Sequence, residues 1–218
     1  MPDPSSFWDR MAASYSKSAV RDPASYAEKL ARTQALLSPQ STVLEIGCGT
    51  GSTAITHAPH ARHITATDLS EAMLEIARKK AAAAGVENVT FTRVDVSDLK
   101  RQGAVTDAAP YDMVMAHSLL HLLPDPQATI RDAYALIRPG GLFVSSTMCL
   151  DDRHWFLRPI AGIARLVGLF PGLNFFTRKR LMSWMPEPGF EIVDEWQPGP
   201  RKAVFVIARR PESSDTKG

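Results

Sequence analysis

Three glycines in alternate positions form the loop of this sequence that is best suited to chemistry. Gly47, Gly49 and Gly51 lie in VLEIGCGTGSTA (Val43–Ala54), after a short apolar run and before a segment that can open a helix. Glycine tolerates positive φ and lets the backbone approach a ligand closely. Open α/β sheets bind their ligands at the ends of parallel strands. A tight strand-to-helix turn without a ligand shows the same pattern, so the loop alone leaves both interpretations open.

Two aspartates follow the next two predicted strands. Asp68 lies about 20 residues after the loop begins, where a carboxylate can accept hydrogen bonds from both hydroxyls of an adenosine ribose. Asp95 ends the third strand, where a carboxylate can accept from the exocyclic amine of adenine. The alternatives are a helix N-cap at Asp68, although Ser70 is already placed for that task, and a strand-end turn at Asp95.

The acidic residue in front of the loop discriminates between two cofactor classes. A dinucleotide site typically carries G-x-G-x-x-G, with the pyrophosphate at a helix N-terminus. Here the pattern is G-x-G-x-G, and Ser52 occupies the place of the third dinucleotide glycine. Glu45 would bring negative charge near a pyrophosphate, whereas it would favour a ligand with an ammonium and a sulfonium. The residues therefore favour S-adenosylmethionine.

Strands that alternate with helices must position these residues. The pattern predicts an α/β fold: a three-layer sandwich around a mostly parallel seven-stranded sheet with a C-terminal antiparallel hairpin. The predicted strands are 43–46, 63–67, 89–94, 112–116, 142–147, 190–195 and 203–209. The predicted helices are one or two within 7–37 that join near Asp22 and Pro23, then 52–57, 70–84 and 127–137, with a turn at 138–141.

Length and composition predict one domain over residues 1–211. Residues 1–40 form an N-terminal helical cap, 151–186 an insertion or lid over the acceptor site, and 212–218 a disordered tail. The net charge of +2 argues against nucleic-acid binding, and the two cysteines predict neither a disulfide framework nor a metal site. With no signal peptide or membrane-spanning run, we expect a cytoplasmic protein that is a monomer or a homodimer.

Five segments together resemble the class I, Rossmann-like, S-adenosylmethionine-dependent methyltransferases of the small-molecule type. They are VLEIGCGTG (Val43–Gly51), TATDLSEAML (Thr65–Leu74), TRVDVSDL (Thr92–Leu99), YDMVMAHSLLHLLPDP (Tyr111–Pro126) and LIRPGGLFV (Leu136–Val144). They occur in the order and spacing of the family.

The resemblance implies a cofactor site and assigns residues to its parts. Gly47, Cys48, Gly49 and Gly51 would lie along the methionine and ribose, and Glu45 would support the amino group. Asp68 would hold the ribose, Leu69, Met73 and Val96 would pack near the adenine, and Asp95 would bind its amine. Tyr15, an N-terminal aromatic residue, would close the pocket. Cys48 is given no nucleophilic role.

The chemistry requires little of the protein beyond orientation, because the sulfonium is already an excellent leaving group. A general base is needed only when the acceptor must lose a proton during attack. His117, directly after DMVMA (Asp112–Ala116), is the candidate for a cofactor contact or that base. A loop histidine bonded to backbone is the alternative.

The insertion at residues 151–186 is the candidate for acceptor specificity. A helical projection places Phe156, Ile160, Ile163, Ala164 and Val167 on one face. This pattern fits a lid over the acceptor, a peripheral membrane contact through residues 155–180, or an ordinary packed helix. His154 and Trp155 would line the entrance for the acceptor substrate.

The expected reaction is methyl transfer from S-adenosylmethionine, which leaves S-adenosylhomocysteine, to an O or N atom of a small apolar or amphiphilic acceptor. The alternatives are a non-catalytic protein that binds S-adenosylmethionine, or a membrane-surface enzyme acting on a lipid or quinone.

Overall fold

The computed structural model describes residues 4–99, 110–152, 159, 162, 172–200 and 202–212. Seven strands form one sheet in the order β3-β2-β1-β4-β5-β7-β6. The strands are β1 (Thr42–Ile46), β2 (His63–Asp68), β3 (Val89–Arg93), β4 (Tyr111–His117), β5 (Ile137–Thr147), β6 (Glu191–Trp196) and β7 (Val204–Arg209). The helices are α1 (Pro4–Lys17), α2 (Pro23–Gln34), α3 (Ser52–His57), α4 (Glu71–Ala83), α5 (Pro126–Leu136) and α6 (Arg178–Trp184). The α/β fold class that the sequence predicts is confirmed.

The described chain divides into two compact units, of which the first holds residues 4–99. In it, β2 pairs in parallel with β1 and with β3. The apolar run of β1 is buried, as expected of an inner parallel strand. Its carboxyl end leads straight into the glycine loop and then into α3.

Helix α4 lies where the sequence predicts it. The Ser70 hydroxyl accepts a hydrogen bond from the backbone N–H of Met73 and caps the helix. The apolar face that buries the helix consists of Met73, Leu74, Ala77 and Ala81. Gly85 follows with a φ of 65°, a left-handed conformation that ends helices. Capping and periodicity therefore determine both ends of this element.

The second unit holds the described residues from 110 onwards. Strands β4 and β5 are parallel, and β7 is antiparallel to both β5 and β6. The predicted C-terminal hairpin is therefore confirmed. The core of this unit includes Phe143 and Phe205, both fully buried.

The predicted turn at residues 138–141 is wrong, because β5 runs continuously from Ile137 to Thr147. The register with β4 shifts between Tyr111 and Met113, so the strand absorbs the extra residues as an irregularity in pairing. Gly140 has a φ of 78°, and its N–H donates to the carbonyl of Arg210. The glycines that suggested a turn thus serve a distorted strand.

Residues 153–158, 160–161 and 163–171 of the predicted insertion and residues 213–218 of the tail lie outside the described residues. His154, Trp155 and the residues of the amphipathic pattern are among them. The described parts of residues 151–186 include α6, which buries Leu181 and Trp184. Among the residues that the structure describes, no helix is long and apolar enough to cross a membrane.

Candidate functional site

The glycine loop joins β1 to α3 in a left-handed backbone conformation. Gly47, Gly49 and Gly51 have φ values of 67°, 54° and 74°, which side-chain-bearing residues rarely adopt. The N–H of Cys48 donates to the carbonyl of Thr67 at 2.9 Å and ties the loop to the end of β2. The backbone conformation by itself is therefore a sufficient reason for glycine at these three positions.

Two of these glycines differ in what surrounds them. A Cβ at Gly51 would lie 2.7 Å from the Cβ of Ala77 and 2.9 Å from a ring carbon of Phe91. Gly51 therefore allows close packing of the loop on α4 and β3. A Cβ at Gly49 would meet only the ring of Tyr15, at 3.8 Å. Gly49 is therefore less tightly packed than Gly51.

Asp68, at the end of β2, accepts hydrogen bonds from the backbone N–H groups of Gly49, Leu69 and Ser70. Its Oδ2 accepts from the N–H of Gly49 at 2.8 Å, and its Oδ1 accepts from the N–H of Ser70 at 2.9 Å. Burial raises the pKa of this carboxyl, and the backbone hydrogen bonds oppose that rise. A carboxylate has about four lone-pair sites, so these three backbone donors leave acceptor capacity for a ligand. Asp68 thus fixes the shape of the loop and presents acceptors beside it.

Glu45 lies on β1, two residues before the loop, and is only 2% exposed. The backbone N–H of Ala54 donates to its carboxyl, but Oε2 has no hydrogen-bond partner among the described residues. Burial raises the pKa of Glu45 from 4.5 to about 8. A buried, half-satisfied carboxyl of this kind is costly to the fold, and strongly perturbed acids cluster at functional sites.

Three other predicted residues line the same end of the first unit. Cys48 and Met73 are buried, and Leu69 is half-buried. Burial raises the pKa of the Cys48 thiol well above its usual value, which leaves it unreactive as a nucleophile.

Asp95 forms a strand-end turn. Its Oδ1 accepts from both the backbone N–H and the hydroxyl of Ser97, at 2.9 and 2.8 Å, and caps the short 3-10 helix Val96–Asp98. The carboxylate is exposed and Val96 is half-buried. The alternative interpretation from the sequence therefore describes Asp95 correctly, and the remaining lone pairs are compatible with a ligand as well.

Tyr15 reaches the loop from α1. Its side chain is 50% exposed and lies against Gly49. Burial, followed by the negative charge of Asp68, raises the pKa of the Tyr15 hydroxyl, which stays neutral at physiological pH. The N-terminal helix thus places an aromatic ring beside Gly49.

Two residues near the loop were missed in the sequence. Lys80 on α4 donates from Nζ to the hydroxyls of Thr50 and Ser52, at 2.8 and 3.1 Å, and braces the loop from its far side. Asp9 on α1 accepts from the hydroxyl of Ser70. Neither residue belongs to a local motif, because both act across tertiary contacts.

His117 belongs to the second unit, where it ends β4. Its ring stacks on Phe205, with centroids 6.5 Å apart and planes 4° apart. Ser118 follows with a φ of 54°, and its N–H donates to the carbonyl of Ser146. Strained backbone of this kind is common at functional sites. His117 thus stacks on Phe205 at the carboxyl end of its strand.

His121 in the same unit takes part in a backbone contact with a distant segment. Burial lowers its pKa to about 4, and its carbonyl accepts from the N–H of Asn174. Within the described parts of the chain, no group of three or more histidine, cysteine, aspartate or glutamate side chains could hold a metal ion.

Comparison with known proteins finds its match in the part of the chain that contains the glycine loop. Residues 44–143 match the methyltransferase domain family. A ubiquinone biosynthesis O-methyltransferase from Coxiella burnetii is 29% identical over 157 residues, which cover 70% of this chain and 64% of that relative. The chain therefore spans less than two thirds of the length of this curated relative.

Solved structures share the fold at low sequence identity. DhpI in complex with SAH superimposes with a TM-score of 0.69 at 19% identity, over 96% of each chain. The YcgJ protein of Bacillus subtilis gives a TM-score of 0.66 at 15% identity, over 85% of this chain and 99% of that one. At these identities the similarity concerns the fold.

Proposed function

We propose that this chain, a class I methyltransferase by its domain and fold, binds S-adenosylmethionine at the glycine loop and transfers the methyl group to a small molecule. The observation that carries the proposal is Glu45, a buried carboxyl with one unpartnered oxygen at the base of the loop. A ligand with an ammonium group would satisfy that oxygen and favour its ionisation.

The residues around the loop fit the rest of this cofactor. Asp68 has free lone pairs for the ribose hydroxyls, and Asp95 has them for the adenine amine. Leu69, Met73 and Val96 supply apolar packing for the base. The methionine part would lie along the loop beside Tyr15, where Gly47 and Cys48 would border it through their backbone.

Gly51 contributes in a different way from its neighbours. Its packing against Ala77 and Phe91 places the loop, so we propose that it shapes the site without a necessary cofactor contact. This role resembles that of the glycine that allows close helix–strand packing in dinucleotide sites.

S-adenosylmethionine, when bound, supplies an electrophilic methyl on a good leaving group. The protein then has to orient the acceptor and exclude water. We propose that His117 contacts the cofactor or accepts the acceptor's proton, because its ring lies at the carboxyl end of β4. Such a base is needed for a hydroxyl acceptor near neutral pH.

We propose that the acceptor is apolar or amphiphilic and carries the reacting oxygen on an aromatic ring. The similarity to the Coxiella relative, an O-methyltransferase of ubiquinone biosynthesis, supports this choice over a nitrogen acceptor. His154, Trp155 and the lid at residues 151–186 remain the proposed acceptor contacts. A cytoplasmic location and a monomer or homodimer remain predictions, as does the alternative of a membrane contact through residues 155–180.

The first experiment separates cofactor classes by thermal denaturation. S-adenosylhomocysteine should raise the melting temperature and NAD should not, because only the former presents an ammonium to Glu45. Stabilisation by NAD alone would overturn the proposal. The variant Glu45→Gln is the matched control, since it removes the ionisable group and preserves its size.

The second experiment tests chemistry. Methyl-labelled S-adenosylmethionine is incubated with catechols that bear alkyl chains of increasing length, and the label extracted into organic solvent is counted. Transfer should increase with chain length. Binding of S-adenosylhomocysteine without transfer to any of these acceptors or to components of a metabolite extract would favour the non-catalytic alternative.

A further inference from the structure

Helix α1 is fastened to the start of α4 by one carboxylate. Oδ1 of Asp9 accepts from the hydroxyl of Ser70 at 2.5 Å and from the backbone N–H of Ala72 at 3.3 Å. The first distance is that of a charge-assisted O–H···O⁻ bond. Asp9 therefore complements the cap of α4 from a separate helix.

Ser70 connects this contact to the glycine loop. The residue is fully buried. Its N–H donates to Oδ1 of Asp68 at 2.9 Å, while Oδ2 of Asp68 accepts from the N–H of Gly49 at 2.8 Å. Asp9, Ser70, Asp68 and Gly49 thus form one continuous hydrogen-bonded chain from α1 to the loop.

The same helix carries the aromatic wall of the loop. Tyr15 follows Asp9 by less than two helical turns and lies against Gly49. Tyr15 is half exposed, so its own burial holds α1 only weakly in place. Besides the buried Ser5 and Ala12, the Asp9 carboxylate holds this helix at the start of α4 and so keeps the ring beside the loop.

We propose that Asp9 is a positioning residue for cofactor binding: it holds α1 against α4 so that Tyr15 covers the ligand at Gly49 and slows its release. This inference rests on the proposed function, since it needs S-adenosylmethionine or its product at the loop. The role concerns cofactor retention and assigns Asp9 no part in methyl transfer itself.

The main test compares the dissociation rate of S-adenosylhomocysteine from the full-length protein and from Asp9→Asn and Asp9→Ala. Release should be about fivefold faster in Asp9→Ala, the factor that one net hydrogen bond typically contributes. Asp9→Asn preserves size and should show a smaller increase in the same direction. The control is Glu28→Gln, which removes an exposed carboxylate that pairs with Arg32 on α2.

A double-mutant cycle with Tyr15→Ala separates positioning from general destabilisation. If Asp9 acts by placing Tyr15, Asp9→Ala should have little further effect on release once the ring is gone. Additive effects would overturn the inference. Amide hydrogen exchange without ligand should also show faster exchange in residues 5–17 of Asp9→Ala, with the rest of the protein unchanged.

The outcomes distinguish this inference from the proposed function. Failure of the wild-type protein to bind S-adenosylhomocysteine would overturn both. Normal wild-type binding with unchanged release from both Asp9 variants would overturn the positioning role alone. Should Asp9→Ala unfold, the isosteric Asp9→Asn still decides the matter through its release rate.

Discussion

Replacing Glu45 by glutamine should stabilise the ligand-free protein and weaken cofactor binding. The carboxyl is 2% exposed, and burial raises its pKa from 4.5 to about 8. When folding raises the pKa of a carboxyl, the contribution of that group to the free energy of unfolding is fully present only at pH values below its unfolded pKa. That contribution decreases as the pH rises toward 8. Glutamine keeps the acceptor for the N–H of Ala54 and has no proton to lose.

The magnitude follows from the difference between the two pKa values. Each pH unit above the unfolded value costs the folded state about 1.4 kcal/mol, up to the folded pKa. A pH of 7 is 2.5 units above 4.5, the unfolded pKa of Glu45. We therefore expect Glu45→Gln to raise the free energy of unfolding by about 3 kcal/mol at pH 7. The gain should be about 2 kcal/mol at pH 6.

Urea unfolding at several pH values measures this difference. Glu75→Gln is the control, because Glu75 is exposed on α4 and lies in the same unit. Saturating S-adenosylhomocysteine should stabilise the wild-type protein far more than Glu45→Gln. Calorimetry in buffers of different ionisation enthalpy should detect about one proton released per ligand bound at pH 7 by the wild type alone. A variant with no pH-dependent gain in stability would refute the reasoning.

Three further predictions concern other residues of the first unit. Gly51→Ala should lower the free energy of unfolding, measured with urea, by about 3 kcal/mol because of backbone strain and overpacking. Gly49→Ala should lower it by about 1 kcal/mol and mainly weaken ligand binding. Equal losses of stability in the two variants would contradict this prediction. Asp68→Asn should weaken S-adenosylhomocysteine binding about tenfold by calorimetry, because the amide cannot accept from Gly49 and Ser70 at once; unchanged affinity would exclude the ribose role. His57 is fully buried, and burial lowers its pKa from 6.5 to about 4. The wild-type protein should therefore lose stability as the pH falls below 6.5. At pH 5, His57→Leu should reduce this loss in the free energy of unfolding by about 2 kcal/mol.

Local signals in the sequence were sufficient for the elements that carry the site. The apolar run before the glycine loop predicted β1, and Ser70 with Gly85 predicted both ends of α4. These features depend on neighbours within one turn or one strand, which a sequence displays directly. The exact start of β5 was not predictable in the same way, because its irregular pairing with β4 depends on a partner strand.

Contacts between distant segments explain the rest of what the sequence left open. Asp9 and Ser70 are 61 positions apart, and the hydrogen bond between them has no signature in either segment. In the sequence Gly51 looks like the other two glycines of the loop, and the close approach of Ala77 and Phe91 distinguishes it from Gly49. The roles of single residues in the loop depend on which side chains the fold brings against them.

The structure also changes the physical reason why Glu45 discriminates between cofactors. The sequence suggested repulsion between a carboxylate and a pyrophosphate. With a pKa of about 8, however, the carboxyl is mostly protonated at pH 7 and repels little. Ionising it at that pH costs only about 1 kcal/mol, which a nearby ammonium readily exceeds. Selection therefore comes from what a cationic ligand gains: it converts a buried, half-satisfied acid into an ion pair. A dinucleotide would leave the same oxygen unsatisfied. It would therefore bind more weakly than a cationic ligand, although the protonated carboxyl does not repel it.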